Sequence, residues 1–358
     1  MEQTEDKYMK KSVKVILIIL ASLLVLAIGA GIFAWSYYKK GISAVSEKSE
    51  EVIVTVESGQ TATSVLYILE EAGLLRDVFC GRVYLKLNGA GNIQANSYLL
   101  NKNMSLEEMF SVMENPSDEH VMRVSVTILD GCSISEIAAA ISKALELEET
   151  EVLAKLNEEA FVSKLIDKYW FITEDVLKDG IKYPLEGYLY PETYLFNNNV
   201  DLEQVIFASL DMMDKYLSEQ KAKIEERGWS VHEFLTFTSI VERESLYDED
   251  RPKIAGVFMN RLKANMRLQS DITVNYAWDR TGVDVLYSHL EIDSPYNTYK
   301  YGGLPIGPIS TVSKVTMDAC IDYEENEYYY FFAKQDGTVI YSKNLNEHNN
   351  AVKQNKWY

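Results

Sequence analysis

Residues 237–245 read Phe-Thr-Ser-Ile-Val-Glu-Arg-Glu-Ser, with two carboxylates closing an apolar-rich run. A helix turns about 100° per residue, so Phe237, Ile240, Val241 and Glu244, at i, i+3, i+4 and i+7, share one stripe. Glu242 points well away from it. A carboxyl on an apolar face loses the hydration of its charged form. It then holds its proton toward neutral pH and can donate it to a leaving group. A bland alternative exists: the helix end emerges from the core and Glu244 is solvated or salt-bridged, as most carboxylates at helix ends are. Spacing alone leaves both open.

A second concentration is Tyr183 to Phe196. It interleaves Tyr183, Tyr188, Tyr190, Tyr194 and Phe196 with Glu186 and Glu192. Aromatic rings stack on apolar sugar faces and carboxylates accept hydroxyl protons, so the mixture suits a sugar cleft; an aromatic-rich core loop has the same composition. Met266 to Tyr276, Ser294 to Tyr299 and Gly302 to Pro308 read as polar turns suited to a cleft rim, or as ordinary loops. Cys80, Cys132 and Cys320 are far apart without a CxxC, and His120, His232, His289 and His348 are isolated. Neither a disulfide framework nor a metal site is expected, and no dinucleotide or phosphate loop is present, so no cofactor is expected. The net charge of −19 and the absence of a basic run exclude nucleic acid as a partner.

These residues need elements to place them. Val15 to Trp35 is an uncharged 21-residue run, the length that crosses a hydrocarbon core. Trp35, Tyr37 and Tyr38 supply an interfacial aromatic belt. The expected organisation is a cytoplasmic tail over 1–14, a transmembrane helix over 15–38 and a linker over 39–51. Lys7, Lys10, Lys11 and Lys14 favour a cytoplasmic amino terminus in a single-pass cell-membrane protein, with the rest extracytoplasmic. A cleaved signal peptide fits less well, because the run is too long and no small-residue cleavage site follows.

Beyond the linker the pattern is α+β. Val52 to Glu57 alternates as a strand, and Thr61 caps a helix toward Gly73. A second helix spans Arg76 to Leu87, Asn92 to Leu100 is strand-like, and Ser105 and Glu108 form a capping box for a helix to Glu114. Asn115 to Glu119 is a turn-rich boundary. Val121 to Leu129 reads as a strand, and Ser133 with Glu136 opens a helix to Leu147. Helices are expected between Glu149 and Lys178, over Asp201 to Gly228, Val231 to Ser245 and Arg251 to Ala264. Tyr328 to Ala333 and Val339 to Ser342 make a hairpin about Asp336-Gly337.

Taken in order, several segments resemble the YceG-like (MltG) family of endolytic murein transglycosylases. They are LEGYLYPETYLF at 185–196, SIVERES at 239–245, VFMNRL at 257–262, MRLQSDITVNYA at 266–277, SPYNTY at 294–299, GLPIGPI at 303–309 and Glu347-His348-Asn349. Ile272 and Ile306 stand where the family usually carries proline. The resemblance implies a LysM-like module over 52–119 and a YceG-like catalytic domain over 120–358 with a lysozyme-like catalytic helix. It implies one acid/base glutamate at the second Glu of IVERES, which is Glu244. Glu186, Tyr190, Glu192, Asn260, Gln269, Asp271 and Asn297 are then expected to bind substrate, with the Tyr183 to Phe196 segment in the same cleft as Glu244.

The implied enzyme is a lyase needing neither metal nor cofactor. It would cut the MurNAc–GlcNAc bond inside peptidoglycan strands and leave 1,6-anhydro-MurNAc ends, acting on nascent strands at the cytoplasmic membrane beside wall-synthesis proteins such as penicillin-binding proteins. A hydrolytic muramidase and a non-enzymatic wall-binding or division scaffold are the alternatives.

Overall fold

A computed structural model describes residues 2–117, 120–280 and 287–355. Asp118 and Glu119 of the expected turn-rich boundary lie outside the described residues. The fold is mixed α+β with an amino-terminal apolar helix, and it divides into two compact units: Met1–Arg123 with Phe196–Asn199, and Val124–Leu195 with Val200–Tyr358.

The first unit begins with α1 (Glu2–Ile42). Its segment Ser22–Ile42 is long and apolar enough to cross a membrane. Leu23, Leu24, Leu26 and Phe33 on it are exposed, so no protein core explains their hydrophobicity. The helix runs past Tyr38, the boundary expected for it, because its last turn is docked. Ile42 is buried, Tyr37 donates its hydroxyl to Asp77 Oδ2 at 2.7 Å, and a Cβ on Gly41 would lie 2.4 Å from Cys80 Sγ. Residues 39–42, expected as linker, are therefore helical.

Strand β1 (Glu51–Val56) pairs antiparallel with β2 (Asn96–Asn101), and β2 pairs with β3 (Val121–Met122). Alternation turns Val54, Val56, Tyr98 and Leu100 inward. They share a core with residues of α2 (Ala62–Glu71), α3 (Val78–Asn88) and α4 (Leu106–Glu114). Thr61 caps α2, and Ser105 with Glu108 forms the capping box of α4.

In the second unit β4 (Val124–Thr127) and β5 (Thr193–Phe196) form a ribbon. Helices α5 (Ile134–Leu145), α6 (Glu149–Leu156), α7 (Glu159–Lys168) and α8 (Leu202–Glu226) precede α9 (Val231–Glu244). Capping boxes at Ser133, Asp201 and Ser230 start α5, α8 and α9. Then come α10 (Arg251–Lys263), α11 (Asp271–Ala277), α12 (Lys314–Ile321), the hairpin β6 (Tyr330–Ala333) and β7 (Val339–Ser342), and α13 (Leu345–Asn355).

Helix α9 is the axis of this unit, with α10, α11 and α12 packed against it. Every residue from Phe234 to Glu242 is buried, on all faces. Its polar side chains are accordingly satisfied: Thr236 and Thr238 donate to the carbonyls of His232 and Phe234, and Ser239 Oγ accepts the Ile309 N–H at 3.1 Å.

Candidate active site

Helix α9 ends at Glu244, where Ser245 turns the backbone to an extended conformation. Phe237, Ile240 and Val241, which share its stripe, are at most 1% exposed. Glu244 itself is half-buried, and its Oε1 accepts the Ser270 hydroxyl at 2.6 Å. Loss of hydration pushes its carboxyl up to about 7; the Ser270 hydrogen bond opposes this, the negative Asp271 adds to it, and the Arg261 guanidinium opposes it. The apolar stripe thus ends in a carboxyl that holds a proton near neutrality.

Glu242 lies on another face, as its spacing predicts, but that face is closed too. Its carboxylate pairs with Arg251 Nη1 at 2.8 Å and accepts the N–H and hydroxyl of Ser313 at 2.8 and 2.7 Å. Glu242 is a structural residue that ties α9 to the starts of α10 and α12.

Around Glu244 the loop before α11 is braced by Arg261. Its Nε and Nη1 donate to the carbonyls of Tyr329 and Leu268, both at 2.6 Å, and its guanidinium lies 4.9 Å from the Tyr330 ring centre. Asp271, exposed, accepts the Tyr299 hydroxyl. Gln269 is exposed, with φ 49°, and its N–H donates to the Thr298 carbonyl. These two expected residues stand at the open side of the loop.

The other expected binding residues have different duties. Glu186 is only 1% exposed, and its carboxylate accepts the Ile134 N–H at the start of α5 and the Tyr276 hydroxyl at 2.9 Å. Burial pushes it up to about 8. Asn297 is fully buried, donating to the Leu290 and Ile292 carbonyls and accepting the Tyr299 N–H. Asn260 donates to the Asn326 and Tyr328 carbonyls. Glu186 and Asn297 have both side-chain polar ends engaged within the fold, and Asn260 is engaged through its Nδ2. Tyr190 is half-buried, its carbonyl held by Tyr194 and Ser209, and Glu192 is exposed, its carboxylate accepting the Thr193 N–H.

Parts of three expected segments meet at one cavity, although neither Glu244 nor any of the expected binding residues is among its lining residues. A cavity of about 340 Å³ is lined by Ser133, Tyr183, Arg243, Ile272, Asn275 and Tyr276, among others. Arg243, next to Glu244, donates to the Gly131 carbonyl at 2.6 Å. The aromatic segment enters this region through Gly187, whose φ is 78° and where a Cβ would lie 2.4 Å from Pro308 Cβ. Gly187→Ala should therefore destabilise the fold by about 1–3 kcal/mol from overpacking, with added left-handed strain. Thermal unfolding checks this; an unchanged melting temperature would mean that the 187 and 308 segments need not touch.

The residues that spacing did not single out are Ser270, Arg261, Tyr299 and Thr298. Ser270 lies between two residues that were named, but a serine carries no pattern of its own. Its importance comes from a partner 26 residues away.

The chain is similar to known proteins over most of its length. The model of the YceG-like family matches residues 54–354. The endolytic murein transglycosylase of Bacillus subtilis (strain 168) is 37% identical over 321 residues, covering 89% of each chain. The endolytic murein transglycosylase of Streptococcus pneumoniae serotype 2 is 31% identical over 357 residues, covering 95% of this chain and 65% of that longer protein. A solved YceG-like protein from Listeria monocytogenes superposes with a TM-score of 0.62 at 36% identity, covering 85% of this chain and all of that one. This chain belongs to the YceG-like family.

Proposed function

We propose that the chain is a membrane-anchored endolytic lytic transglycosylase of peptidoglycan, with Glu244 as its one acid/base group. The observation that carries the reading is a half-buried carboxyl held by one hydroxyl at the end of a buried helix, where loss of hydration pushes it up to about 7. Relatives named endolytic murein transglycosylases, matched over most of the chain, support the substrate class.

Glu244 donates its proton to the glycosidic oxygen between MurNAc and GlcNAc as the C1–O bond breaks. The substrate's N-acetyl group stabilises the electron-poor C1. The muramoyl C6 hydroxyl then bonds C1 and returns its proton to the Glu244 carboxylate. The product carries a 1,6-anhydro end and no water is consumed. A retaining or inverting hydrolase instead pairs two carboxylates across the bond. Mass spectrometry of glycans released from sacculi separates the readings, because anhydro ends are one water lighter than hydrolysed ends. Hydrolysed ends alone would sink the proposal.

The acid step needs the protonated carboxyl. The rate of the free enzyme should therefore be level on the acid side and decline above about 7, by roughly tenfold per pH unit. An ordinary carboxylic acid would begin that decline near its unshifted value of 4.5. A kcat/KM profile still rising between about pH 7 and 9 would contradict the assignment.

In the same reading α1 is the anchor, with its amino terminus cytoplasmic and the chain that follows it outside. The β1-α2-α3-β2 order of the first unit supports a LysM-like glycan-binding module. Helix α9 acts as a lysozyme-like catalytic helix, and nascent strands emerging beside wall-synthesis proteins are the natural substrate.

A further inference from the structure

Ser270 is the N-cap residue of α11, and its backbone is held on both sides. Its N–H donates to Thr298 Oγ1 at 3.0 Å and its carbonyl accepts Thr273 Oγ1 at 2.8 Å, with the two threonine hydroxyls 2.9 Å apart. Ser270, Thr273 and Thr298 are at most 2% exposed. The two preceding residues are pinned as well, Leu268 through its carbonyl to Arg261 and Gln269 through its N–H to the Thr298 carbonyl. Three successive residues are thus fixed so that one hydroxyl meets Glu244 Oε1 at 2.6 Å.

A carboxyl oxygen that accepts a short hydrogen bond is a poor seat for its own proton, because two O–H groups would then face each other. We propose that Ser270 is a positioning residue that reserves Oε1 as an acceptor and leaves Oε2 as the atom that gives and retakes the proton. This rests on Glu244 being the acid/base group. The Oε2 proton passes to the leaving glycosidic oxygen as C1–O breaks, and the C6 hydroxyl proton returns to Oε2 as C6–O–C1 forms. The other groups acting on this carboxyl are Asp271 of α11, Arg261 of α10 and Tyr299, whose hydroxyl donates to Asp271. None of these is altered by changing Ser270.

The test uses the full chain purified in detergent, with Ser270→Ala, Ser270→Cys and Glu244→Gln, and pH profiles of sacculus digestion. Ser270→Ala should lower kcat by about tenfold or more with KM nearly unchanged. It should also move the declining limb to higher pH, because the carboxylate loses the donor that favours its charged form. Ser270→Cys, similar in size with a weaker donor, should fall between, and it decides the matter if the alanine variant does not fold. A parent-like rate and limb in Ser270→Ala beside an inactive Glu244→Gln would overturn the proposal while leaving the function intact. A lowered rate with an unmoved limb would assign Ser270 a purely structural role and overturn it too. An active Glu244→Gln would overturn both.

Discussion

Glu244→Gln should abolish most glycan cleavage, by about 10³–10⁴-fold, the upper part of the range for general acid–base catalysis, since one group performs both proton transfers. Glutamine keeps the size and can still accept from Ser270, but it carries no transferable proton. The same variant should be more stable than the parent at pH 8. The parent carboxyl is raised from 4.5 to about 7 in the folded state, so between those values the folded chain binds more protons than the unfolded one. Stability is therefore lost as pH rises through that window, and the full cost, at most about 3 kcal/mol, is present above it. Glutamine escapes that cost, so the two proteins should melt alike near pH 4 and diverge at pH 8. Near-normal release of anhydro ends by the variant would refute the catalytic assignment; a variant less stable than the parent at pH 8 would refute the account of the raised carboxyl.

Glu242→Gln should do the opposite: a large loss of stability with a small effect on chemistry. The Glu242 and Arg251 side chains are 4% and 11% exposed. Removing Glu242 leaves Arg251 with the exposed Asp248, 3.0 Å from its Nε, as remaining ionic partner, so the cost is at most the ~3–5 kcal/mol of breaking a buried pair. In a unit of this size that corresponds to a fall in melting temperature of at most roughly 6–20 °C. Arg251→Gln should fall similarly, and the double variant should lose less than the two singles together. At a temperature where Glu242→Gln remains folded, its cleavage rate should stay within several-fold of the parent. Strict additivity in the double variant would show that the pair is not coupled, and inactivity of a folded Glu242→Gln would move the catalytic role toward Glu242.

The contrast between these two carboxylates marks what spacing can read. The stripe of Phe237, Ile240, Val241 and Glu244 was read from helical periodicity, which is local; burial of its three apolar members does not single it out, because α9 is buried on all faces from Phe234 to Glu242. The same periodicity placed Glu242 elsewhere but not inside, since closure of that second face depends on Arg251 and Ser313 arriving from α10 and the start of α12. Gln269 and Asp271 were named where Ser270 between them was not. Glu186 and Asn297 were read as binding groups because a side chain's type shows what it can bond, not whether a backbone amide or carbonyl has already claimed it.

By itself the sequence determined many local elements: the apolar run of α1, strands β1 and β2, the capping boxes that start α4 and α5, and the hairpin at Asp336-Gly337. Each is set by interactions within a few residues, so each leaves a pattern in the chain. The single strand read over Val121 to Leu129, by contrast, divides into β3 and β4 of two different sheets. The short helix α11, with polar residues on a rim, left too weak a pattern, and only packing on α9 completes it. Tertiary structure alone decided which carboxyl is dry, which is paired, and which hydroxyl meets it. Those outcomes depend on hydration and hydrogen bonds between residues far apart in sequence, which local spacing does not encode.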